Sequence, residues 1–379
     1  MKITFVISSL SSGGAERVLV LLAQAFLNKA YQVTVITLST KNDDFYTLPL
    51  GAERLALGIL GDSVNPLSAI VNNLSRLSKL RTAICSTKPD VVISFATETN
   101  ILTILSLLQT GIPVIATEHC DPNLISYGKI WDKLRRFSYP YATKIVSVSK
   151  GVDNGFDWLS TTKRAIIYNP FLKIENNQEQ IDLSIGANPD KKWIISMGRL
   201  TYQKGFDILL SAFAQVTNNY PNWQLIILGK GEQRPELEKL VEHLNLTERV
   251  ILPGVIKNPF PILKKADLFV MASRFEGFPM SHGEAMACSC PIIATDCPSG
   301  PREIIRHDID GILVPTEDVS ALAQAMDNLM SNEKERIRLA NRAIEVTERF
   351  SLENVIDSWD KLFAEILDKN PSKLLTITI

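Results

Sequence analysis

Compact apolar runs alternate with stretches of helical periodicity from the first residues of this 379-residue chain. Each run is short enough to be one buried strand, and the intervals between them are long enough for helices. Neighbouring parallel strands need a long return connection, which is usually a helix. The pattern therefore predicts an α/β fold with parallel sheets. In the first part of the chain the runs cover residues 3–10, 32–38, 91–96, 113–118 and 144–149.

A polar interval at residues 173–192, rich in Asn, Gln, Glu and Asp, divides the chain into two parts. The alternation resumes after it, and helical periodicity dominates residues 320–329, 334–350 and 352–367. The chain is long enough for two domains. Two similar domains facing each other are the simplest architecture, with terminal helices that cover a sheet or return to the first domain. The second set of apolar runs covers residues 193–197, 224–228, 250–252, 268–272 and 291–295.

Charge and cysteine content exclude several classes of protein. The chain has 40 basic and 41 acidic residues, which is not the excess of positive charge expected of a dedicated nucleic-acid binder. Five cysteines are too few, and odd in number, for a disulfide framework, so we expect a reducing, cytoplasmic environment. Residues 99–117 are uncharged, but Gly111 and Pro113 favour a helix, a turn and a strand over a membrane span.

The first candidate binding motif is Gly13-Gly14, between the run at residues 3–10 and an apolar-faced helix. Paired glycines let backbone amides approach a phosphate closely. The segment lacks the Gly-Lys-Ser/Thr ending of a Walker loop, and it is not a complete Gly-x-Gly-x-x-Gly fingerprint. A purely structural turn from strand to helix explains it equally well.

A second motif places Arg199 and Lys204 after the run at residues 193–197. Arginine offers a planar fork and lysine a compact charge, and together they can clamp a diphosphate. The alternative is an exposed cationic turn. We favour the ligand interpretation because both charges, with Gly205, lie at one predicted sheet edge.

The third motif carries the most information and contains Glu276 and Glu284, which follow the run at residues 268–272. Gly277 and Pro279 keep Glu276 out of the regular helix that Glu284 enters. Carboxylates placed in this way can accept hydrogen bonds from sugar and ribose hydroxyls. Two unrelated surface glutamates are the alternative for any isolated pair.

Taken in order, these motifs resemble the retaining glycosyltransferases of family 4, also called group 1, which have the two-domain GT-B fold. The resemblance covers nearly the whole chain. The continuation at residues 296–304 resembles bacterial enzymes that transfer hexoses or N-acetylhexosamines in surface-glycan assembly. The segments that carry the family resemblance are Gly13-Gly14-Ala15-Glu16, Gly198-Arg199-Leu200, Gln203-Lys204-Gly205, Glu276-Gly277-Phe278-Pro279 and Glu284-Ala285-Met286-Ala287.

The resemblance implies two facing Rossmann-like domains: an acceptor-side domain at residues 1–170 and a nucleotide-sugar donor domain at 171–350. Residues 351–379 would form a helix that returns to the N-terminal domain, and a tail.

The resemblance also implies roles for single residues. Arg199 and Lys204 would bind the donor diphosphate, Glu284 the ribose and Glu276 the transferred sugar. His119 matches the family histidine that contacts the donor sugar near the reacting carbon, although a histidine at a strand end is ordinarily structural. The implied catalytic set is therefore His119, Glu276, Arg199 and Lys204, and the donor-binding set adds Gly13, Gly14, Gly277, Phe278, Pro279 and Glu284.

Two segments depart from this pattern or compete with it. Ser281-His282-Gly283 stands where many relatives have larger apolar residues, and we favour packing over ligand binding for His282. Asp308-Ile309-Asp310 matches an Asp-x-Asp metal motif, but it lies in a polar turn. The resemblance implies metal-independent transfer, so we expect no catalytic metal and no cofactor.

Residues 129–137 combine four cations with Ile130, Trp131, Leu134 and Phe137. A basic amphipathic helix can associate with anionic lipid headgroups, and an ordinary surface helix is the alternative. Residues 1–170 contain 17 basic and 12 acidic side chains. We therefore expect a cytoplasmic protein, peripheral on the cytoplasmic face of the membrane if this helix binds lipid.

The sequence thus predicts a glycosyltransferase that takes a hexose or N-acetylhexosamine from a nucleotide-sugar, with UDP-sugar favoured, and gives it to a glycan or lipid-linked glycan acceptor. Two alternatives remain open. A UDP-sugar epimerase also uses two α/β domains, and a noncatalytic nucleotide-sugar-binding module would use the same contacts.

Overall fold

The computed structural model of the protein describes residues 1–60, 66–174 and 185–368. The chain forms two compact units. Met1–Pro170 forms the N-terminal unit together with the segment that begins at Leu352, and Phe171–Ser351 forms the C-terminal unit.

The N-terminal unit contains a seven-stranded parallel sheet with the strand order β3-β2-β1-β4-β5-β6-β7. Its strands are β1 (Lys2–Ile7), β2 (Gln32–Thr37), β3 (Glu53–Ala56), β4 (Val91–Phe95), β5 (Val114–Glu118), β6 (Lys144–Ser147) and β7 (Arg164–Ile166). The helices between them are α1 (Gly14–Asn28), α2 (Pro66–Thr87), α3 (Thr97–Ser106), α4 (Lys129–Ser138) and α5 (Lys150–Asn154).

The C-terminal unit contains a six-stranded parallel sheet with the strand order β10-β9-β8-β11-β12-β13. Its strands are β8 (Lys192–Met197), β9 (Trp223–Leu228), β10 (Val250–Gly254), β11 (Leu268–Met271), β12 (Ile292–Thr295) and β13 (Ile312–Val314). Its helices are α6 (Phe206–Val216), α7 (Arg234–His243), α8 (Phe260–Lys265), α9 (Met280–Ala287), α10 (Pro301–Ile304), α11 (Val319–Ser331), α12 (Glu333–Ala343) and α13 (Val346–Arg349).

Every strand pair in the two sheets is parallel, which confirms the predicted α/β class. The apolar runs predicted every inner strand, because a strand covered on both faces is mostly apolar. They also predicted β10, which is an edge strand of the C-terminal sheet. Strands β3, β7 and β13 were not predicted from the sequence. All three are edge strands of three or four residues, and their half-exposed side chains leave a weaker apolar signal. The helical run at residues 334–350 is not one helix, since α12 and α13 divide it.

The last helix, α14 (Leu352–Asp368), packs on the N-terminal unit, as expected. The ring of Phe363 lies 5.6 Å from that of Phe26 on α1. Two ion pairs, Lys29 with Asp360 and Lys144 with Glu365, join the helix to the same unit. Aromatic burial therefore attaches α14, and the ion pairs at its edges fix its orientation.

Candidate active site

The candidate site in the C-terminal unit lies where β8 and β11 end. These strands are neighbours in the sheet, so the segments that follow them meet at its carboxyl edge, where open α/β sheets bind ligands. We call residues 198–205 the lysine loop and residues 272–279 the glutamate loop.

Lys204 and Glu276 meet between these two loops. The Nζ of Lys204 lies 2.6 Å from Oε1 of Glu276, and the hydroxyl of Ser273 donates to the same oxygen at 2.6 Å. The Glu276 side chain is only 5% exposed. The site thus holds a cation and an oriented carboxylate side by side in a largely buried position, where both would interact strongly with a polar ligand.

Ser273 was not among the predicted site residues. It is buried directly after β11, three residues before the glutamate that it contacts. Its only sequence signal is a hydroxyl at the end of a buried strand, which is too common to single out.

Glu276 and Glu284 lie in the kinds of structure that the sequence predicted. Glu276 is in the loop before α9, and Glu284 is within that helix and partly exposed. Phe278 is buried against the rings of Phe171 and Phe350, at 5.6 and 5.2 Å. A donor contact by Phe278 would therefore come from its main chain.

Gly277 and Pro279 pack against a second loop of the same unit. Gly300 has a φ of +83°, and a Cβ there would crowd the carbonyl of Gly277 and the ring of Pro279. The loop that contains Gly300 therefore packs closely against the glutamate loop.

Arg199 lies in the lysine loop with an exposed side chain. Its carbonyl accepts a hydrogen bond from the amide of Thr201 at 2.8 Å, which turns the chain back toward Lys204. The two predicted cations therefore share one loop but differ in setting, since Lys204 is half-buried and ion-paired.

Gly205 ends the lysine loop in the left-handed region, with a φ of +61°. A Cβ there would overlap the carbonyl oxygen of Ala272 in the glutamate loop. We expect Gly205→Ala to lower the free energy of unfolding by about 3 kcal/mol or more. The left-handed φ is unfavourable for alanine, and the backbone at Ala272 would also have to move to make room for the new Cβ. Denaturant unfolding measures the change.

Gly254→Ala is the matched control for this substitution. Gly254 has a φ of +93° but nothing within 4 Å of its Cβ position, so only the dihedral cost of about 1 kcal/mol applies. Equal losses in the two variants would contradict the steric argument.

His282 and Gly283 are closely packed within the C-terminal unit, and the preference for packing over ligand binding at His282 stays a prediction. His282 is buried with its ring 6.1 Å from that of Phe269, and burial lowers its pKa to about 4. A Cβ on Gly283 would overlap the ring of Phe171.

The Asp-x-Asp segment does not direct its two carboxylates to one point. Buried Asp310 accepts from Arg306 at 2.7 Å and from Arg349 at 3.0 Å. Asp308 is exposed and pairs with His307. Asp310 therefore belongs to an ion cluster that ties the segment to α13.

In the N-terminal unit, Gly13 precedes α1 and Gly14 is its first residue. The hydroxyl of Ser11 donates to Glu16 Oε1 at 2.9 Å, and a Cβ on Gly13 would overlap the Glu16 carboxylate. Gly13 has a φ of −110°, which any residue can adopt, and a side chain there would only displace the flexible end of Glu16.

His119 follows β5 in the same unit. Its ring stacks on that of Phe95 at 5.7 Å, and its Nε2 lies 3.1 Å from Oγ1 of Thr117. Burial lowers its pKa to about 4, so the imidazole is neutral at pH 7. A neutral ring can exchange hydrogen bonds with sugar hydroxyls without placing a fixed charge beside them.

The strand end that carries His119 is fixed by Glu118, which the sequence analysis did not single out. The buried carboxylate accepts from Thr97 and Asn100, both at 2.9 Å, and from Tyr139. Burial raises its pKa, and these hydrogen bonds oppose that rise.

Comparison with known sequences shows the family of this chain. The model of "Glycosyl transferases group 1" matches residues 177–346, and that of "Glycosyltransferase Family 4" matches residues 12–170. A Campylobacter jejuni α-1,4-N-acetyl-D-galactosaminyltransferase, named for an undecaprenyl-diphosphate-linked glycan, is 30% identical over 97% of this chain and 99% of its own length. The chain belongs to glycosyltransferase family 4.

Two further comparisons give a second glycosyltransferase relative and a solved structure with the same fold. The amylovoran biosynthesis glycosyltransferase AmsD of Erwinia amylovora is 25% identical over 95% of this glycosyltransferase and 99% of its own length. Staphylococcus aureus TarM, crystallised with UDP, has the same fold at a TM-score of 0.79 and 13% identity, over 96% of this chain and all of its own. The GT-B fold that the sequence predicted is confirmed. Among the residues that the structure describes, no helix is both long and apolar enough to cross a bilayer.

Proposed function

We propose that this glycosyltransferase transfers a hexose or N-acetylhexosamine from a UDP-sugar, with retention of configuration, to a hydroxyl of a glycan acceptor. We further propose that the acceptor is carried on a polyprenyl diphosphate and that the product enters a surface polysaccharide or glycoconjugate. The observation that carries the proposal is the Lys204–Glu276–Ser273 cluster at the carboxyl edge of the C-terminal sheet. The names of the Campylobacter and Erwinia relatives support the acceptor class.

The reaction places its largest charge on the departing diphosphate. The bond from the anomeric carbon to the phosphate oxygen breaks, and a bond to the acceptor oxygen forms on the same face. The acceptor proton passes to the departing phosphate oxygen. Lys204 and Arg199 would already be in position to stabilise this charge as it develops. Transfer by this route needs neither a metal nor a cofactor.

The two carboxylates would divide recognition of the donor. Glu276 accepts hydrogen bonds from Lys204 and Ser273. It would exchange these for hydrogen bonds from sugar hydroxyls. Glu284, partly exposed on α9, would accept from the ribose. UDP in the TarM crystal supports the choice of nucleotide.

The proposal is tested by incubating the protein with UDP-glucose, UDP-galactose and their N-acetylated forms, with and without bacterial lipid extract. We expect one donor to give an acceptor-dependent product by mass spectrometry, with the donor's anomeric configuration by NMR. Inversion would contradict the retaining mechanism. Sugar isomerisation without acceptor would instead identify an epimerase.

Helix α4 supports peripheral binding to an anionic membrane as part of this proposal. Ile130 and Phe137, seven residues apart, lie on one helical face and are 74% and 58% exposed. Lys129, Lys133 and Arg136 are exposed beside them. Apolar side chains flanked by cations are the signature of a helix that lies in a membrane interface.

We expect Ile130→Ser/Phe137→Ser to reduce cosedimentation with phosphatidylglycerol vesicles by about tenfold or more, because two large apolar side chains no longer enter the interface. Ile337→Ser, at a 53% exposed position on α12, is the matched control. Wild-type protein that stays in the supernatant would contradict membrane association.

A further inference from the structure

Arg274, in the glutamate loop, forms hydrogen bonds with residues that lie before and after Lys204 in the sequence. Its Nη1 donates to the carbonyl of Tyr202 at 2.8 Å. Its fork also donates to both carboxylate oxygens of Asp207, at 3.0 and 2.7 Å. One guanidinium therefore binds the residues that precede and follow the half-buried cation.

The backbone continues the same connection between the two loops. The amide of Arg274 donates to the carbonyl of Gln203 at 2.8 Å, and the Gln203 side chain donates to the carbonyl of Phe275 at 3.0 Å. Two residues after Arg274 comes Glu276, which pairs with Lys204. The contacts of Arg274 therefore help to set the distance between Lys204 and Glu276.

The surroundings of Arg274 hold its side chain in one position. Its side chain is only 11% exposed, and the ring of Tyr202 covers the guanidinium at 4.0 Å. Its hydrogen bonds to Asp207 raise its pKa, with burial opposing them, so the charge is permanent. Glu317, 61% exposed, binds its Nε from the solvent side.

We infer that Arg274 is a positioning residue for the donor site: it holds the lysine loop against the glutamate loop so that Lys204 and Glu276 meet a nucleotide diphosphate-sugar in one fixed geometry. This inference rests on the proposed function. Lysine is not an equivalent replacement, because its compact ammonium lacks the planar fork with which the guanidinium binds both oxygens of Asp207 while donating to Tyr202.

The test compares Arg274→Met, Arg274→Lys and Asp207→Asn with the control Arg338→Met. Arg338 is an exposed arginine paired with Glu335 on α12. Calorimetry measures the affinities for UDP and for UMP, which lacks the second phosphate. Hydrogen exchange of residues 201–206 measures the order of the lysine loop in the free protein.

We expect Arg274→Met and Arg274→Lys to weaken UDP binding about tenfold, because loss of placement is costly where charges must align. UMP binding should change less than about twofold, since the proposed ribose contact of Glu284 comes from another element. Exchange in residues 201–206 should be faster in both variants. Asp207→Asn keeps the side-chain shape and should show a smaller change in the same direction.

A double-mutant cycle separates positioning from general destabilisation. In a Lys204→Ala background, Arg274→Met should weaken UDP binding by less than about twofold, since the group that it positions is gone. Full additivity, or equal losses of UDP and UMP affinity, would overturn the inference.

The outcomes also distinguish the inference from the proposed function. Wild-type protein that binds UDP, with Arg274→Met indistinguishable from Arg338→Met, would overturn the role of Arg274 alone. Wild-type protein that binds no uridine nucleotide would contradict the donor assignment, and the inference with it.

Discussion

Lys204→Ala is expected to lower kcat/KM for sugar transfer by about 10²- to 10³-fold, the effect of removing one preorganised group that stabilises developing charge. The same change leaves the carboxylate of Glu276, 5% exposed, without its cationic partner. We therefore also expect a loss of about 3 kcal/mol in the free energy of unfolding. Steady-state kinetics and denaturant unfolding measure the two effects.

Lys204→Ala/Glu276→Gln separates catalysis from stability. The neutral amide removes the buried uncompensated charge and can still accept from Ser273, so most of the stability should return. Transfer should not recover, since the cation is still missing and Glu276 is lost too. A double variant that regains both stability and turnover would show that Lys204 acts only through folding.

His119→Ala and Glu284→Ala are expected to have opposite profiles. Loss of His119 removes a group proposed to lie near the reacting carbon, so turnover should fall about 10²-fold while UDP affinity changes less than about threefold. Loss of Glu284 removes the carboxylate proposed to accept from the ribose, so UDP affinity should fall by about tenfold or more. Calorimetry with UDP and initial rates with donor in excess measure the two quantities.

Two surface substitutions control for this pair. His243→Ala and Glu238→Ala change the same residue types at exposed positions on α7. Undiminished turnover in His119→Ala would refute its assigned role. Undiminished UDP affinity in Glu284→Ala would refute the ribose contact.

The class of fold and the loops that carry the candidate site could be predicted from the sequence alone. Buried parallel strands are mostly apolar, so β1, β4 and β8 are visible as apolar runs. Gly277 and Pro279 break helical periodicity, which correctly separated loop-borne Glu276 from helix-borne Glu284. Such signals are local, since they depend only on neighbouring residues.

Which of these residues come into contact depends on the tertiary fold. Lys204 and Glu276 are 72 positions apart and pair because β8 and β11 are adjacent in the sheet, a strand order that no local pattern encodes. Arg274 has no motif of its own, and its part depends on three contacts across that same boundary. Strand order brings distant residues to one edge, and a residue whose partners are all distant is therefore not identifiable from its neighbours in sequence.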